Sequence, residues 1–412
     1  MGATLEVHTA RALLFAWTVI AFISITHGHA AGACSSASFQ APITVGGQGV
    51  PSFAPNPFSI TTADINNDGK LDLLIADGFG FAPFLGDGAG GFITSFRSGT
   101  SAGPHAIAVG DFNGDGNLDV AMAFSLDFNH NNETVLFIHL GDGRGNFTTL
   151  FTQLIQIPGR GHPILVTGDF DGDGILDLAV GDTVDPNILI FVGDGQGGFT
   201  QKTSVSISAA GAPVAMIAGD FNGDGVSDLV VAHGQSNRIT IFVANRLSSF
   251  FDAAGIPTTG TGQTALVAAD FNGDGLLDFA VQNAGSQNVS VFLGLGTGKF
   301  KPPASFASAA ATAIAAGDLN ADGVPDLAVT NPSANQVCVL LGDGNGGFGS
   351  ATCSSTGVEP RGVVIDNFNG DGGLDIATVN AVAQNAVESV SVLLNSCTQT
   401  AVDLRVTGME VT

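Results

Sequence analysis

Apolar residues in this chain come in short runs, about five to eight residues long, broken by clusters of Gly, Asn and Asp. The run "HAIAVGD" (105–111) leads into one such cluster and "LDVAMAF" (118–124) leaves it. Next, "TVLFIHL" (134–140) runs into a glycine-rich turn and "NFTTLFTQL" (146–154) runs out of it. These runs are rich in Val, Ile, Phe and Thr, which suit a pleated sheet surface. Beyond residue 33 no helical period is sustained over about 11 residues. Each unit therefore predicts four antiparallel strands, one on either side of the acidic cluster and one on either side of the glycine turn.

The unit recurs roughly every fifty residues. The pattern D-x-[ND]-x-D-G-x-x-D starts at Asp64, Asp111, Asp169, Asp220, Asp270 and Asp318, and a seventh copy, "NFNGDGGLD", starts at Asn367. A second signature keeps phase with it: "LGDGAGGF" from Leu85, "LGDGRGNF" from Leu140, "VGDGQGGF" from Val192, "LGLGTGKF" from Leu293 and "LGDGNGGF" from Leu341. The fourth unit has a degraded form, "VANRLSSF" from Val243. Four short strands per unit, repeated radially, predict an all-β, seven-bladed β-propeller of four-stranded antiparallel blades. The seventh unit has no glycine hairpin and no fourth strand, whereas "SFQAPITV" (38–45) is an orphan strand ahead of the first unit. Pairing the two closes the ring and removes an exposed edge. That closure sets Cys34 beside Cys397 and predicts a disulfide there. Cys338 and Cys353 face each other across the hairpin of the sixth unit and predict a second.

Each acidic cluster has the chemistry of a cation loop. Side-chain oxygens at positions 1, 3, 5 and 9 converge on one hard ion, the backbone carbonyl at position 7 adds to them, and Gly at position 6 allows the bend. The candidate ligands are Asp64, Asn66, Asp68 and Asp72; Asp111, Asn113, Asp115 and Asp119; Asp169, Asp171, Asp173 and Asp177; Asp220, Asn222, Asp224 and Asp228; Asp270, Asn272, Asp274 and Asp278; Asp318, Asn320, Asp322 and Asp326; and Asn367, Asn369, Asp371 and Asp375. An all-oxygen set favours Ca2+ over transition metals. Asn367 leaves the last loop two carboxylates, so six sites and a weaker seventh are expected. An EF-hand needs an acid at position 12 and flanking helices. Here position 12 is Ile75, Met122, Val180, Val231, Val281, Val329 or Thr378, inside the following strand.

Composition changes the picture in two ways. The formal net charge is −25 at pH 7, from 12 Lys and Arg against 37 Asp and Glu, which excludes nucleic acid and anionic membrane surfaces as natural partners. Most of those acids lie in the loops, so the acidity is cation-site chemistry. Residues 1–33 read as a signal peptide: Arg11 precedes the apolar stretch Ala12 to Ile25, and small residues follow, with cleavage expected after Ala30 or Ala33. That stretch is short for a membrane span. The expected organisation is a signal at 1–33, the propeller at 34–397 and a tail at 398–412, with a secreted mature chain.

The paired "GDFNGDGxLD" and "LGDGxGGF" stations resemble the FG-GAP or VCBS-type repeats of secreted, mostly bacterial proteins, and the calcium-bearing blades of the integrin α-subunit propeller. The resemblance covers roughly Ser38 to Asn395. It implies a seven-bladed propeller with calcium in the loops between first and second strands. It implies no single activity, because such propellers serve adhesion, lectin, scaffold and, less often, lyase or hydrolase roles.

The face opposite the acidic loops varies more between units and is the expected ligand face. Its largest excursion is Phe124 to Thr134, and its polar candidates are His105, Arg160, His162, Arg238 and Arg361. No Ser-His-Asp order, H-E-x-x-H or phosphate loop joined to a lysine is present. The single Trp, Trp17, lies in the signal and there is no Tyr, which weakens sugar stacking. The reading is a non-enzymatic binding or adhesion module for an extracellular protein or glycan. A carbohydrate-active lyase or hydrolase, or a lectin, on the same scaffold is the alternative.

Overall fold

The computed structural model describes residues 34–397 except 35, 46–58, 78–79, 95–97, 100–104, 127–132, 156–160, 208–210, 235, 245–250 and 382–388. Residues 1–33, expected to be a signal, the tail at 398–412 and Arg160 lie outside the described residues. Seven antiparallel sheets form the described fold. Each blade runs from an inner strand to an outer one, as in blade 3: Pro163–Gly168, Asp177–Asp182, Asn187–Gly193 and Phe199–Ser206. The inner strands of the other blades are Ser59–Ala63, Ala106–Gly110, Ala215–Gly219, Gln263–Ala269, Ile314–Gly317 and Pro360–Asp366. No α-helix occurs among the described residues. The single helical turn is the 3-10 segment Pro332–Ala334.

The hydrophobic core lies between blades rather than inside one. Leu178 and Val180 of blade 3 pack with Ala108, Ala121, Leu136 and Ile138 of blade 2, whereas Ala179 packs with Leu229 and Val231 of blade 4. A second strand is thus covered on both faces, and Asp177–Asp182 and Asp228–His233 are buried at every position. This is why these strands read as unbroken apolar runs and not as alternation. The outer strand Phe199–Ser206 alternates between exposed and half-buried, because only one side meets a neighbour.

Closure follows the expected route. Ile43–Val45 pairs with Ser389–Leu393 in the register Ile43 to Val392 and Val45 to Val390, completing blade 7. Cys34 and Cys397 are bonded, and Cys338 is bonded to Cys353, its register partner across the blade 6 hairpin. The excursion from Phe124 to Thr134 is strand at both ends, where Asp119–Leu126 pairs with Glu133–Gly141 through Phe124 to Val135 and Leu126 to Glu133, and 127–132 lie outside the described residues. Phe124 stacks on Phe137 at 5.1 Å, a cross-strand aromatic pair that extends the ladder past the length usual in the other blades.

Candidate functional site

Each acidic loop leaves an inner strand and enters a second strand, so all seven share one face. The aspartate at position 9 opens the second strand and is fully buried in six of the loops and 1% exposed at Asp177. Its two oxygens do the same work in every blade. The Oδ2 atoms of Asp72, Asp119, Asp177, Asp228, Asp278, Asp326 and Asp375 accept N–H bonds of 2.8–3.0 Å from Ile65, Phe112, Phe170, Phe221, Phe271, Leu319 and Phe368, at position 2. The Oδ1 atoms accept bonds of 2.6–2.9 Å from Gly86, Gly141, Gly193, Ala244, Gly294, Gly342 and Asn395, where the third strand ends. The carboxylate thus brackets three segments of its blade.

Burial works against that charge. It pushes Asp72, Asp119, Asp278 and Asp375 up to about 6, and Asp177, Asp228 and Asp326 up to about 7, although the backbone donors pull the other way. Other loop carboxylates nearby add repulsion. Such a group favours a positive partner.

The exposed part of the loop is wound around its own side chains. In the six full loops the position-1 aspartate accepts the N–H of the position-6 glycine at 2.7–2.9 Å. Those glycines, with Gly372, have φ between +81° and +88°, a region closed to most side chains. The position-5 aspartates accept the N–H of position 7 at 2.8–3.0 Å in all seven loops. Asparagine at position 3 accepts the N–H of position 5 in the six loops that carry it. In blade 3, where position 3 is also an acid, ligand oxygens of Asp169, Asp171 and Asp177 lie within 4.8 Å of one another. Convergent hard oxygens on a Gly-bent loop fit a calcium-type ion. In the seventh loop Asn367 Oδ1 accepts the Gly370 N–H at 2.8 Å, and Asp366, whose Oδ1 accepts the Asn367 N–H at 3.0 Å, has its carboxyl raised by burial.

Position 2 was not singled out by the sequence reading, though a bulky apolar residue recurs there. Its carbonyl faces the next blade, whose glycine hairpin donates to it: Gly90 to Phe368 at 3.1 Å, Gly197 to Phe112 at 2.9 Å, Gly298 to Phe221 at 3.1 Å and Gly346 to Phe271 at 3.2 Å. The hairpin of one blade therefore seats on the acidic loop of the blade before it.

The opposite face is built from unlike parts. At the far end of the second strands stand Phe124, Asp182, His233, Asn283, Asn331 and Asn380, a varied position that the sequence reading also missed. His233 donates from Nδ1 to the Gly211 carbonyl at 2.9 Å, which leaves Nε2 to accept the Thr240 hydroxyl at 2.9 Å. Asn283 and Asn380 donate to Ser290 and Ser391. Of the expected ligand-face residues, His105 and His162 come together, with ring centroids 4.1 Å apart. Burial, and then the neighbouring imidazole of His162, hold His105 down at about 4. Both rings border a cavity of about 390 Å³ where the inner strands of blades 1 to 5 converge; Ser59, Thr183, Ile107, Val214 and Thr264 also line it. The His162 backbone is pinned by Thr183, whose Oγ1 accepts its N–H at 2.8 Å. Arg238 and Arg361 are not part of that lining. Arg238 donates to the Gly255 carbonyl, and Arg361 lies 3.7 Å from Glu359.

The repeat geometry agrees with comparison to known proteins. The profile of the FG-GAP-like repeat family matches residues 79–122, 169–231, 220–281, 270–329 and 318–378, and the chain belongs to that family. None of the curated protein sequences matches it. Among solved structures, it is similar to an Agrocybe aegerita lectin that recognises non-reducing terminal N-acetylglucosamine (19% identity, TM-score 0.55, 74% of this chain and 81% of that one). It is also similar to a Lactobacillus plantarum protein (15%, 0.57, 76% and 89%). A third is a Bacteroides uniformis protein provisionally assigned as a 6-phosphogluconolactonase (13%, 0.57, 82% and 94%). At these identities the likeness concerns the fold.

Proposed function

We propose that this protein is an exported, calcium-stiffened propeller that binds an extracellular protein or glycan, without catalysis, through the face opposite its acidic loops. The observation that carries this reading is the division of the molecule. Every carboxylate of the repeat motif gathers at one end of the inner strands, and a cavity rimmed by His105 and His162 lies at the other. Ca2+ bound by positions 1, 3, 5 and 9 neutralises the clustered charge and braces each loop against its neighbour's hairpin. The opposite face is then presented already ordered, which lowers the entropy lost on binding. Two disulfides and a signal-like leader fit an oxidising destination outside the cell. The lectin likeness supports a glycan as the first ligand to try, with imidazole and hydroxyl groups as its hydrogen-bond partners.

The test is a glycan array beside a pull-down from cell-surface extracts, using the calcium-loaded protein and a His105→Ala/His162→Ala variant. Capture of a defined glycan or protein by the parent and not by the variant supports the reading. Turnover of a polysaccharide, or equal capture by both proteins, contradicts it.

A further inference from the structure

Five blades carry a glycine turn in sequence, blade 4 carries a degraded one, and blade 7 carries none. The acidic loop of blade 6 would therefore lose the cover that other loops receive from the next blade. It does not lose it. Asn395 stands where the hairpin would begin, and its Nδ2 donates to the Leu319 carbonyl at 2.6 Å. Leu319 is position 2 of loop 6, so this bond replaces the glycine N–H found at four other junctions. Asn395 reaches both ways: its backbone N–H is the donor to Asp375 Oδ1 in loop 7, and its Oδ1 accepts the Cys397 N–H. The Cys34–Cys397 bridge lies on the next residue of loop 6. Cys34 N–H donates to the Asn320 carbonyl at 2.8 Å, and Cys397 Sγ lies 3.2 Å from the same oxygen.

Loop 6 is also the loop that most needs support. Position 4 is glycine in five of the loops and Asn67 in the first, but here it is Ala321, held at φ +60°. A Cβ disfavours that left-handed conformation. The cover is correspondingly deeper: Asn320 is 5% exposed, and Asp322 is half-buried where Asp68, Asp115, Asp173, Asp224, Asp274 and Asp371 are exposed.

We propose that the ring closure doubles as the missing hairpin of the sixth loop, with Asn395 and the Cys34–Cys397 bridge positioning Asp318, Asn320 and Asp322 for a cation. The tie between the chain ends then has a local task besides holding the circle shut: it keeps a strained loop in its ligating shape. This inference rests on the reading that the acidic loops hold Ca2+, and loops 4 and 5, each seated under an ordinary hairpin, serve as internal controls.

The test is hydrogen exchange, read by peptide, on the full mature chain with and without Ca2+. The proteins compared are the parent, Asn395→Ala, Cys34→Ser/Cys397→Ser and, as a disulfide control, Cys338→Ser/Cys353→Ser. Calcium should slow exchange over 318–326 about tenfold or more in the parent and the control, and much less in the two closure variants. Protection over 220–228 and 270–278 should survive in all four. Adding Ala321→Gly to Asn395→Ala should restore part of the loss, because glycine removes the strain. Unchanged calcium protection of 318–326 in both closure variants would overturn the proposal, as would an equal loss at all loops. If no loop of the parent responds to calcium, the cation reading itself fails and this inference falls with it.

Discussion

The two ends of each second strand have opposite characters. At the loop end the residue is aspartate in all seven blades, buried and holding the same two backbone amides. At the far end it is Phe124, Asp77, Asp182, His233 or an asparagine, and the bonds of Asp182, His233 and Asn283 differ. Uniformity at one end means that end solves a problem every blade shares, namely three segments meeting where two backbone donors would be left bare. Variety at the other end means the turns there were free to diverge once each local polar group found a partner. The loop end is where stability and cation binding are expected to live, and the far end is where recognition is.

Breaking the bracket is the severest challenge to that contrast. Asp228→Ala strands the buried Ala244 N–H and leaves the Phe221 N–H only a 3.1 Å bond to the Gly219 carbonyl. The orphan costs about 1–3 kcal/mol and the other lost hydrogen bond about 0.5–1.5, so denaturant titration should register a loss of about 1.5–4.5 kcal/mol. The neighbouring exposed ligand Asp224, changed to Asn, should cost within about 0.5 kcal/mol in chelator and remove only the calcium-dependent gain. Equal losses from the two would show that position 9 is no more structural than position 5.

Calcium comes next. An ion that binds only the folded state adds about 2.7 kcal/mol per site at a hundred times its dissociation constant. Melts in Ca2+ should therefore midpoint well above melts in chelator, and Mg2+ should be a poorer substitute.

The pH dependence sharpens the same point. Burial raises the position-9 carboxyls to about 6 or 7, above the unfolded value of 3.8. Between those values the folded chain binds more protons than the unfolded one, so stability falls as pH rises. In chelator the contribution of these groups should be complete at or below about pH 4 and should be lost progressively up to about pH 7. Saturating Ca2+ should flatten or invert that slope. A chelated protein that strengthens from pH 5 to 7 would show that the buried carboxylates are already satisfied by their backbone donors.

The far end predicts smaller effects. His233→Ala leaves the Gly211 carbonyl and Thr240 hydroxyl without their partner and should cost about 1–3 kcal/mol, with no change in calcium response. The His105→Ala/His162→Ala variant should shift stability least of all while removing ligand capture.

Much of the architecture was legible because it repeats. The spacing of Asp64, Asp111 and their successors counts the blades, the hairpin missing after Leu393 points to the N-terminal strand, and the Cys34–Cys397 pair follows from that closure as Cys338–Cys353 follows from the blade 6 hairpin. What was not legible depends on packing between blades. Spacing marks Asp228 as a candidate cation ligand but cannot reveal that it also holds the Phe221 and Ala244 amides. Nor does it show that the Phe112 carbonyl meets a hairpin from the next blade, or that Asn395 stands in for one. The residue at the far end of each second strand, polar in every blade but the second, escaped notice because it varies. The ladder runs on past Phe124 to Leu126, beyond the apolar run, beside a Phe124–Phe137 stack that spacing alone does not display.

The most direct measurement is an anomalous-difference map from crystals grown in Ca2+. The account predicts a peak inside each of the six full loops, among Asp111, Asn113, Asp115 and Asp119 and their counterparts, and a weaker one or none beside Asn367. Full loops without density at saturating calcium, in a ring otherwise folded as described here, would contradict it.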